Sequence, residues 1–385
     1  MKQGKIRRIG IVAGEASGDL LGSHLVKALR EKLPDAQFVG IAGPKMLAAG
    51  VVSHYPMEKL AVMGYVEVLK RYFEIVGIRR KLMAYFKSNP PDLFIGVDAP
   101  DFNLDLERAL KEAGIPTVHY VSPSIWAWRG ERIHKIGKSC SKILTLFPFE
   151  PVLYEQAGID AAYVGHPLAD LIPESPDKTA MRRHMKLPLE ARIFAFLPGS
   201  RQSELRHLAD IFIRTAMLIR EKWSDARFLV PLSSRETRTQ FEEAIYRNGA
   251  EEMPFTLLFG HAVDAMIAAD IVLVASGTAT LEAALLKKPM VITYKVAPLT
   301  YRLMKRRHYQ PYVGLPNILA GKFVVPELLQ DDATPENLAQ ALLNLMQDAT
   351  VIPKLEALFS KIQFSLKQNT AEKASMAILP LLMNP

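Results

Sequence analysis

Short apolar runs of strand length recur along this chain, each ending near Gly, Pro, Ser or Asp and leading into a helix-period segment, which leaves few folds open. The most constraining example is Ala191 to Leu205, ARIFAFLPGSRQSEL. It reads as a buried strand, Ile193–Leu197, a tight Pro198-Gly199-Ser200 turn, and a first helical turn carrying Arg201 and Glu204. Such a junction puts unpaired backbone N–H groups and a positive dipole end where a phosphate can sit. Arg201 adds a charge that no relevant pH removes. An ordinary strand-to-helix connection would look the same on this stretch alone.

The pattern repeats on both sides. Ile9–Val12 leads through Gly14-Glu15-Ala16-Ser17-Gly18-Asp19 into a helix with Leu21, Leu25, Ala28 and Leu29 on one face, and Phe38–Ile41, Leu93–Val97, Thr117–Val121 and Ile143–Phe147 follow. It restarts with Ile193–Leu197, Phe228–Val230, Phe255–Leu258, Ile271–Val274 and Met290–Thr293. The expected fold class is therefore α/β, two doubly wound Rossmann-like domains facing a cleft. The Pro- and acid-rich connection from Pro167 to Asp177 marks the expected boundary, giving domains over 1–168 and 169–345. Helices over Pro335–Gln347, Val351–Leu366 and Thr370–Leu382 end the chain, and the segment 346–385 is expected to pack back on the first domain or on a partner chain.

Composition narrows the function classes. The single cysteine, Cys140, excludes a disulfide framework or a Cys-rich metal site and suits a reducing cytoplasm. The longest uncharged segment, Ala113 to Trp128, holds two prolines and a histidine and does not read as a membrane span. The basic start is interrupted by Glu15 and reads as a first strand, not an export signal. A net charge of +8 points to anionic partners. No helix-turn-helix, zinc finger or RNP signature is present, so nucleic acid is not an expected partner.

Several candidate residues sit at strand ends. Neither GxGxxG nor GxxxxGK[ST] occurs, which argues against a nicotinamide site and against an ATP- or GTP-hydrolysing motor. Gly14–Asp19, with Ser17, either touches a ligand or only makes the turn. Asp98 follows the strand Leu93–Val97, where ligands bind in such folds, and is placed to take a proton from a substrate hydroxyl. Asp101 serves equally as a helix cap. The segment His119-Tyr-Val-Ser122-Pro-Ser-Ile-Trp126-Ala-Trp128-Arg129 concentrates polar groups and indoles, with Ser122 and Trp126 as candidate sugar or acyl contacts. Ser276-Gly277-Thr278, with Glu282 following, repeats the logic of the Gly199–Arg201 junction: hydroxyls and N–H groups for phosphates, and a carboxylate for ribose hydroxyls. Glu282 would also complement a helix dipole. Two such junctions in one domain favour a nucleotide-sugar site. His24, His119 and His166 receive no role, and Cys140 reads as structural.

GEASGD at Gly14, VDAPDFN at Val97, HYVSPSIWAWR at His119, LPGSR at Leu197, ASGTATLEA at Ala275 and VGLPNILAG at Val313 closely resemble, in order and over nearly the whole chain, the lipid-A-disaccharide synthase family. The resemblance implies an inverting, metal-independent glycosyltransferase of GT-B architecture with no cofactor. It implies transfer of a diacylated glucosamine from UDP to diacylglucosamine 1-phosphate, giving a β-1,6 disaccharide 1-phosphate and UDP. Carried over residue by residue, Asp98 becomes the base, Arg201 neutralises the departing diphosphate with the Gly199–Ser200 amides, Glu282 holds the ribose, and Asn317 completes the nucleotide pocket. The absence of a DxD pair agrees with a metal-free site. The resemblance also implies work at the cytoplasmic face of the inner membrane, and a homodimer with exchanged C-terminal segments is one arrangement it allows.

Acylated substrates give meaning to Met57–Phe86. Val62, Met63, Val66, Leu69, Tyr72, Phe73 and Val76 are expected to form an apolar patch that, with Lys70, Arg71, Arg79, Arg80 and Lys81, seats on an anionic bilayer surface. A helix apolar nearly all round would serve equally as core. A second basic group, Arg302, Lys305, Arg306, Arg307 and His308, suits phospholipid, substrate phosphate or solvent equally.

Overall fold

The computed structural model describes residues 6–60, 65–127, 130–297, 301 and 310–383, the side chains of 65–71 and 383 excepted. Two compact units emerge, one of Met1–Asp170 with Ser365–Pro385 and one of Leu171–Phe364. The chain therefore crosses between them at 170/171 and again at 364/365, whereas the expected cuts are at 168/169 and 345/346.

The first unit is built on seven strands, β1 (Arg8–Ala13), β2 (Gln37–Ala42), β3 (Val51–Pro56), β4 (Leu93–Val97), β5 (Thr117–Tyr120), β6 (Lys142–Thr145) and β7 (Ala161–Tyr163). They pair in parallel in the order β3-β2-β1-β4-β5-β6-β7. The second unit repeats the scheme with β8 (Ile193–Leu197), β9 (Arg227–Leu232), β10 (Phe255–Phe259), β11 (Ile271–Ala275), β12 (Met290–Tyr294) and β13 (Glu327–Leu329), in the order β10-β9-β8-β11-β12-β13. In each sheet the winding direction reverses between two central strands, β1 and β4 or β8 and β11. The carboxyl ends of those strands are where doubly wound sheets bind ligands.

Central strands are buried along their whole length, as in β4, β8 and β11, because helices cover both faces of a parallel sheet. Their continuous apolar runs made them legible. The strands not anticipated are β3, β7 and β13, all sheet edges, where burial alternates or is only partial and no apolar run develops.

Helix α1 (Ala16–Lys32) buries Leu21, Leu25, Val26 and Leu29, α2 (Tyr65–Ser88) buries Ile78, Leu82 and Phe86, and α3 (Pro100–Lys111) packs against β4 and β5. The expected helix from Met57 is shorter than the apolar pattern, since Met57–Lys59 forms a single 3-10 turn. In the second unit, α4 (Gln202–Lys222) and α5 (Thr278–Leu285) follow the two central strands, and α6 (Val351–Leu366) is anchored by Leu355, Phe359 and Ile362. The last helix, α7 (Thr370–Met383), returns to the first unit, burying Ala374, Ile378 and Leu382 in the core that α1 also lines. Lys32 and Glu372 pair across these helices at 2.6 Å, and the Asp170 carboxylate accepts the Asn369 and Thr370 N–H groups at 3.0 and 2.7 Å. Within this one chain, the C-terminal helix thus covers its own first unit.

Candidate active site

In the second unit, the β8–α4 and β11–α5 junctions face one pocket of about 330 Å³, within the usual size of small-molecule sites. Gly199, Ser200, Arg201, Ser276, Gly277, Thr278 and Glu282 all line it, so residues far apart in sequence converge there.

The electrostatics differ from expectation at the first junction. Glu204 reaches back to accept the N–H groups of Ser200 and Arg201 at 2.9 and 3.2 Å, so the Ser200 amide expected to face a diphosphate is already engaged. Gly199, at φ +116, is held there because a Cβ would lie 2.3 Å from Glu204 Oε2. The spacing of Glu204, three residues past Arg201, is that of a capping box, which was the available signal. Arg201 keeps 71% of its side chain exposed, with Glu204 only loosely opposite at 3.7 Å, and remains able to meet an anion.

At the second junction α5 begins without a side-chain cap, so its first N–H groups stay available at the positive end of the helix. Ser276 Oγ donates to Val313 O at 3.2 Å and Thr280 Oγ1 accepts from Leu315 N at 3.3 Å, tying the Val313–Leu315 stretch to this wall. Glu282 is half-buried, its carboxylate has no hydrogen-bond partner among the described residues, and burial raises its pKa above the ordinary value. A carboxylate held this way favours a ligand that brings hydroxyl donors.

Asn317 does not enter this pocket. It is fully buried, donates to Val325 O and Glu327 Oε1 at 2.9 and 2.7 Å, and accepts from the N–H groups of Val324 and Val325. Glu327 also accepts from Val313 and Gly314 N–H. Asn317 therefore holds the loop behind the pocket wall, a correction to direct ligand contact whose cause is that its amide is hydrogen-bonded within the fold. Glu327 carries no motif, and nothing in the sequence marked it.

In the first unit, the β1 and β4 ends lie side by side, Ala13 against Val97. This brings Ser17, exposed in the first turn of α1, to the same sheet edge as Asp98. The glycines of GEASGD permit the approach, since a Cβ on Gly14 would lie 2.8 Å from Ala99 Cβ, and one on Gly18 would lie 3.2 Å from Val97 O. Asp98 and Ala99 adopt left-handed φ values of +53° and +45°, an unfavourable conformation for residues with a Cβ that functional sites often retain. Asp98 is half-buried, and no side-chain hydrogen bond of its carboxylate occurs among the described residues.

Ser122 and Trp126 serve the scaffold. The Ser122 hydroxyl is buried against Tyr154 OH at 2.7 Å, and Trp126 Nε1 donates to Glu150 Oε1 at 3.1 Å. Glu150 Oε2 further accepts from the Leu146 and Phe147 N–H groups, and Trp126 packs edge-on against Phe147 and Phe149. Their polar atoms thus fix one loop to another, in place of the direct substrate contacts expected of them. Trp128 and Arg129 lie outside the described residues.

On α2, Tyr72 and Phe73 are exposed, at 54% and 82%, and meet edge-on at 5.8 Å, while Val76 is half-buried. Arg80 and Lys81 face solvent, but Arg79 is paired with Asp105 at 2.8 Å. Val66 and Leu69 lie on this helix. Val62, Met63 and the basic group at 302–308 fall outside the described residues. Among the described residues no helix is long and apolar enough to cross a membrane, and no group of three or more His, Cys, Asp or Glu could hold a metal ion.

Two doubly wound parallel α/β units with a pocket at a switch point define a protein of GT-B architecture, the scaffold of many sugar-nucleotide enzymes. Solved structures agree on the fold: a glycosyltransferase from Rickettsia africae ESF-5 superposes with a TM-score of 0.60 at 13% identity, covering 99% of each chain. A UDP-GlcNAc 2-epimerase from Neisseria meningitidis gives 0.62 at 12% identity, covering 99% of this chain and 100% of that one. Sequence comparison narrows the class, because the family model described as lipid-A-disaccharide synthetase matches residues 9–379. The lipid-A-disaccharide synthase of Dechloromonas aromatica (strain RCB) is 60% identical over 380 residues, 98% of this chain and 100% of the relative. That of Methylobacillus flagellatus is 56% identical over 374 residues, 97% and 99% of the two chains. The chain belongs to the lipid-A-disaccharide synthase family, glycosyltransferases of lipid A biosynthesis.

Proposed function

We propose that the chain joins UDP-2,3-diacylglucosamine to 2,3-diacylglucosamine 1-phosphate, inverting the anomeric carbon to give the β-1,6 disaccharide 1-phosphate and UDP. The observation that carries the donor assignment is the second-unit pocket, where an unpartnered carboxylate and an uncapped helix start line one wall and Arg201 another. Glu282 takes the ribose hydroxyls. The free amides at the start of α5 and the Arg201 guanidinium neutralise the diphosphate as the glycosidic bond breaks, so charge developing on UDP meets fixed positive dipoles without a metal. Asp98 removes the proton of the acceptor 6-hydroxyl as its oxygen attacks from the face opposite the leaving group. Ser17 shares the Asp98 edge and suits an acceptor hydroxyl or phosphate.

Acylated substrates reside in membranes, and the exposed Tyr72–Phe73 pair beside Arg80 and Lys81 suits peripheral attachment to the anionic cytoplasmic leaflet of the inner membrane. A homodimer that exchanges C-terminal segments would place α7 of one copy where the chain's own α7 now packs on α1.

Mass spectrometry of a reaction with both lipids and a chelator tests this reading. Tetraacylated disaccharide phosphate with UDP release, lost in Asp98→Ala, is the expected result. A folded, UDP-binding protein that makes no disaccharide, and instead epimerises UDP-N-acetylglucosamine, would overturn it.

A further inference from the structure

Behind Asp98 lies a polar group that the proposed reaction does not use. Glu107 of α3 and His119 of β5 are both wholly buried, with His119 Nδ1 2.7 Å from Glu107 Oε1. Gly96 of β4, in register with His119, makes room for them: a Cβ there would lie 2.0 Å from Glu107 Oε1 and 2.9 Å from Asn103 Cβ. Glu107 and Asn103 sit one helical turn apart on α3 and both rest on the bare backbone of Gly96. Asn103 donates to Asp98 O at 2.8 Å, and Asp98 N–H donates to Tyr120 O at 2.8 Å, so the left-handed turn at Asp98–Ala99 is gripped from α3 and from β5.

This is an expensive way to pack a strand on a helix. Glu107 Oε2, His119 Nε2 and Asn103 Oδ1 are buried without a hydrogen-bond partner among the described residues. Unpartnered buried polar atoms destabilise a fold, and apolar side chains of the same shape would pack more stably. We propose that Glu107 and His119 form a buried pair that acts through Asn103 and the Gly96–Asp98 backbone to hold the Asp98 carboxylate where it meets the acceptor hydroxyl. The inference rests on reading Asp98 as the base, and it makes Glu107 and His119 positioning residues for it.

The charges support the geometry. Burial alone would lower the His119 pKa, and the adjacent Glu107 carboxylate, with Asp98 acting in the same sense, raises it instead. The other titratable groups around the pair are Cys140, whose thiol burial pushes up, and Lys111, whose ammonium is held by the Gly137 and Cys140 carbonyls at 3.0 and 2.6 Å. His119 is thereby coupled to Asp98 as well as to Glu107.

Two measurements test the proposal. Glu107→Gln keeps the side-chain shape and an acceptor for His119 while removing the charge. It is expected to lower kcat about tenfold or more, with KM for both lipids unchanged, because misplacing a reacting group is costly even when binding survives. In an Asp98→Asn background the same change is expected to add no further loss to the residual rate, since residues acting through one group are not additive. Wild-type kcat in Glu107→Gln, or equal losses in both backgrounds, would overturn the proposal. The second measurement leaves the pair intact and decides the matter should Glu107→Gln fail to fold. In 15N-histidine spectra, the His119 titration is expected to move to lower pH in Asp98→Asn, and an unmoved titration would overturn the coupling. Full turnover by Asp98→Asn would remove the base assignment and the proposal together. An inactive Asp98→Asn beside a fully active Glu107→Gln would leave the base standing and remove only the pair.

Discussion

Glu150 and His166 both touch Phe147, one through its backbone N–H and the other through its ring, and they respond to pH in opposite senses. Burial raises the Glu150 pKa to about 7 from an ordinary 4.5, so the folded chain holds that proton more tightly than the unfolded one. Its contribution to stability is present at low pH and lost as pH rises through that interval. Burial lowers the His166 pKa to about 4 from 6.5, so its contribution is present above 6.5 and lost as pH falls. Each gap is worth about 3 kcal/mol, and over the shared interval they nearly cancel. Urea unfolding should therefore show that Glu150→Gln loses stability on acidification more steeply than wild type, and that His166→Asn loses it as pH rises. At the same scale, Glu282→Gln should raise the donor KM with little change in melting temperature, because its carboxylate has no hydrogen-bond partner among the described residues. Gly96→Ala should destabilise the first unit by about 1–3 kcal/mol through overpacking, read as a lower melting temperature. Legibility at this scale followed motif membership. Arg201, Glu282 and Asp98 lie in strand-end motifs, and the structure places Arg201 and Glu282 on one pocket and Asp98 at the edge of the other sheet. Asn317 shares a motif yet faces inward, since a sequence pattern does not tell whether an amide meets a ligand or its own backbone. Glu107 and Glu327 act over distances that only the sheet register creates.

The strands of the two sheet centres could be read from sequence almost to the residue, Leu93–Val97 and Ile193–Leu197 without error, because burial on both faces forces an unbroken apolar run. Edge strands carry no such obligation, and β3, β7 and β13 left no mark. Helix α2 shows the other difficulty, that an apolar face does not state what it faces. Its C-terminal half enters the core through Ile78, Leu82 and Phe86, while Tyr72 and Phe73 stand outside. Phe73→Ser combined with Leu69→Ser should thus loosen attachment to anionic vesicles, Phe73 alone removing about 1.5–3 kcal/mol of apolar burial in the bilayer interface. Melting temperature should be nearly unchanged by Phe73→Ser, and unaltered cosedimentation with vesicles would contradict the attachment.

At the scale of the molecule, the two units are joined by two strands of chain, at 170/171 and 364/365, and the last helix belongs to the unit begun at the first residue. Removing residues 370–385 deletes Ala374, Ile378 and Leu382 from the first core and leaves the second untouched. Calorimetry of that truncation should show one transition shifted down by many degrees and another near its original position. Donor-nucleotide binding by the remaining second unit should persist.

The same arrangement orders events at the ribosome. Residues 171–364 emerge as a continuous block and can complete their own sheet during translation, whereas the unit whose strands appear first must wait for α7, Thr370–Met383, to pack on α1. The apolar flank of α1 is therefore open while about half of the protein is still being made, and closes only once α7 has emerged.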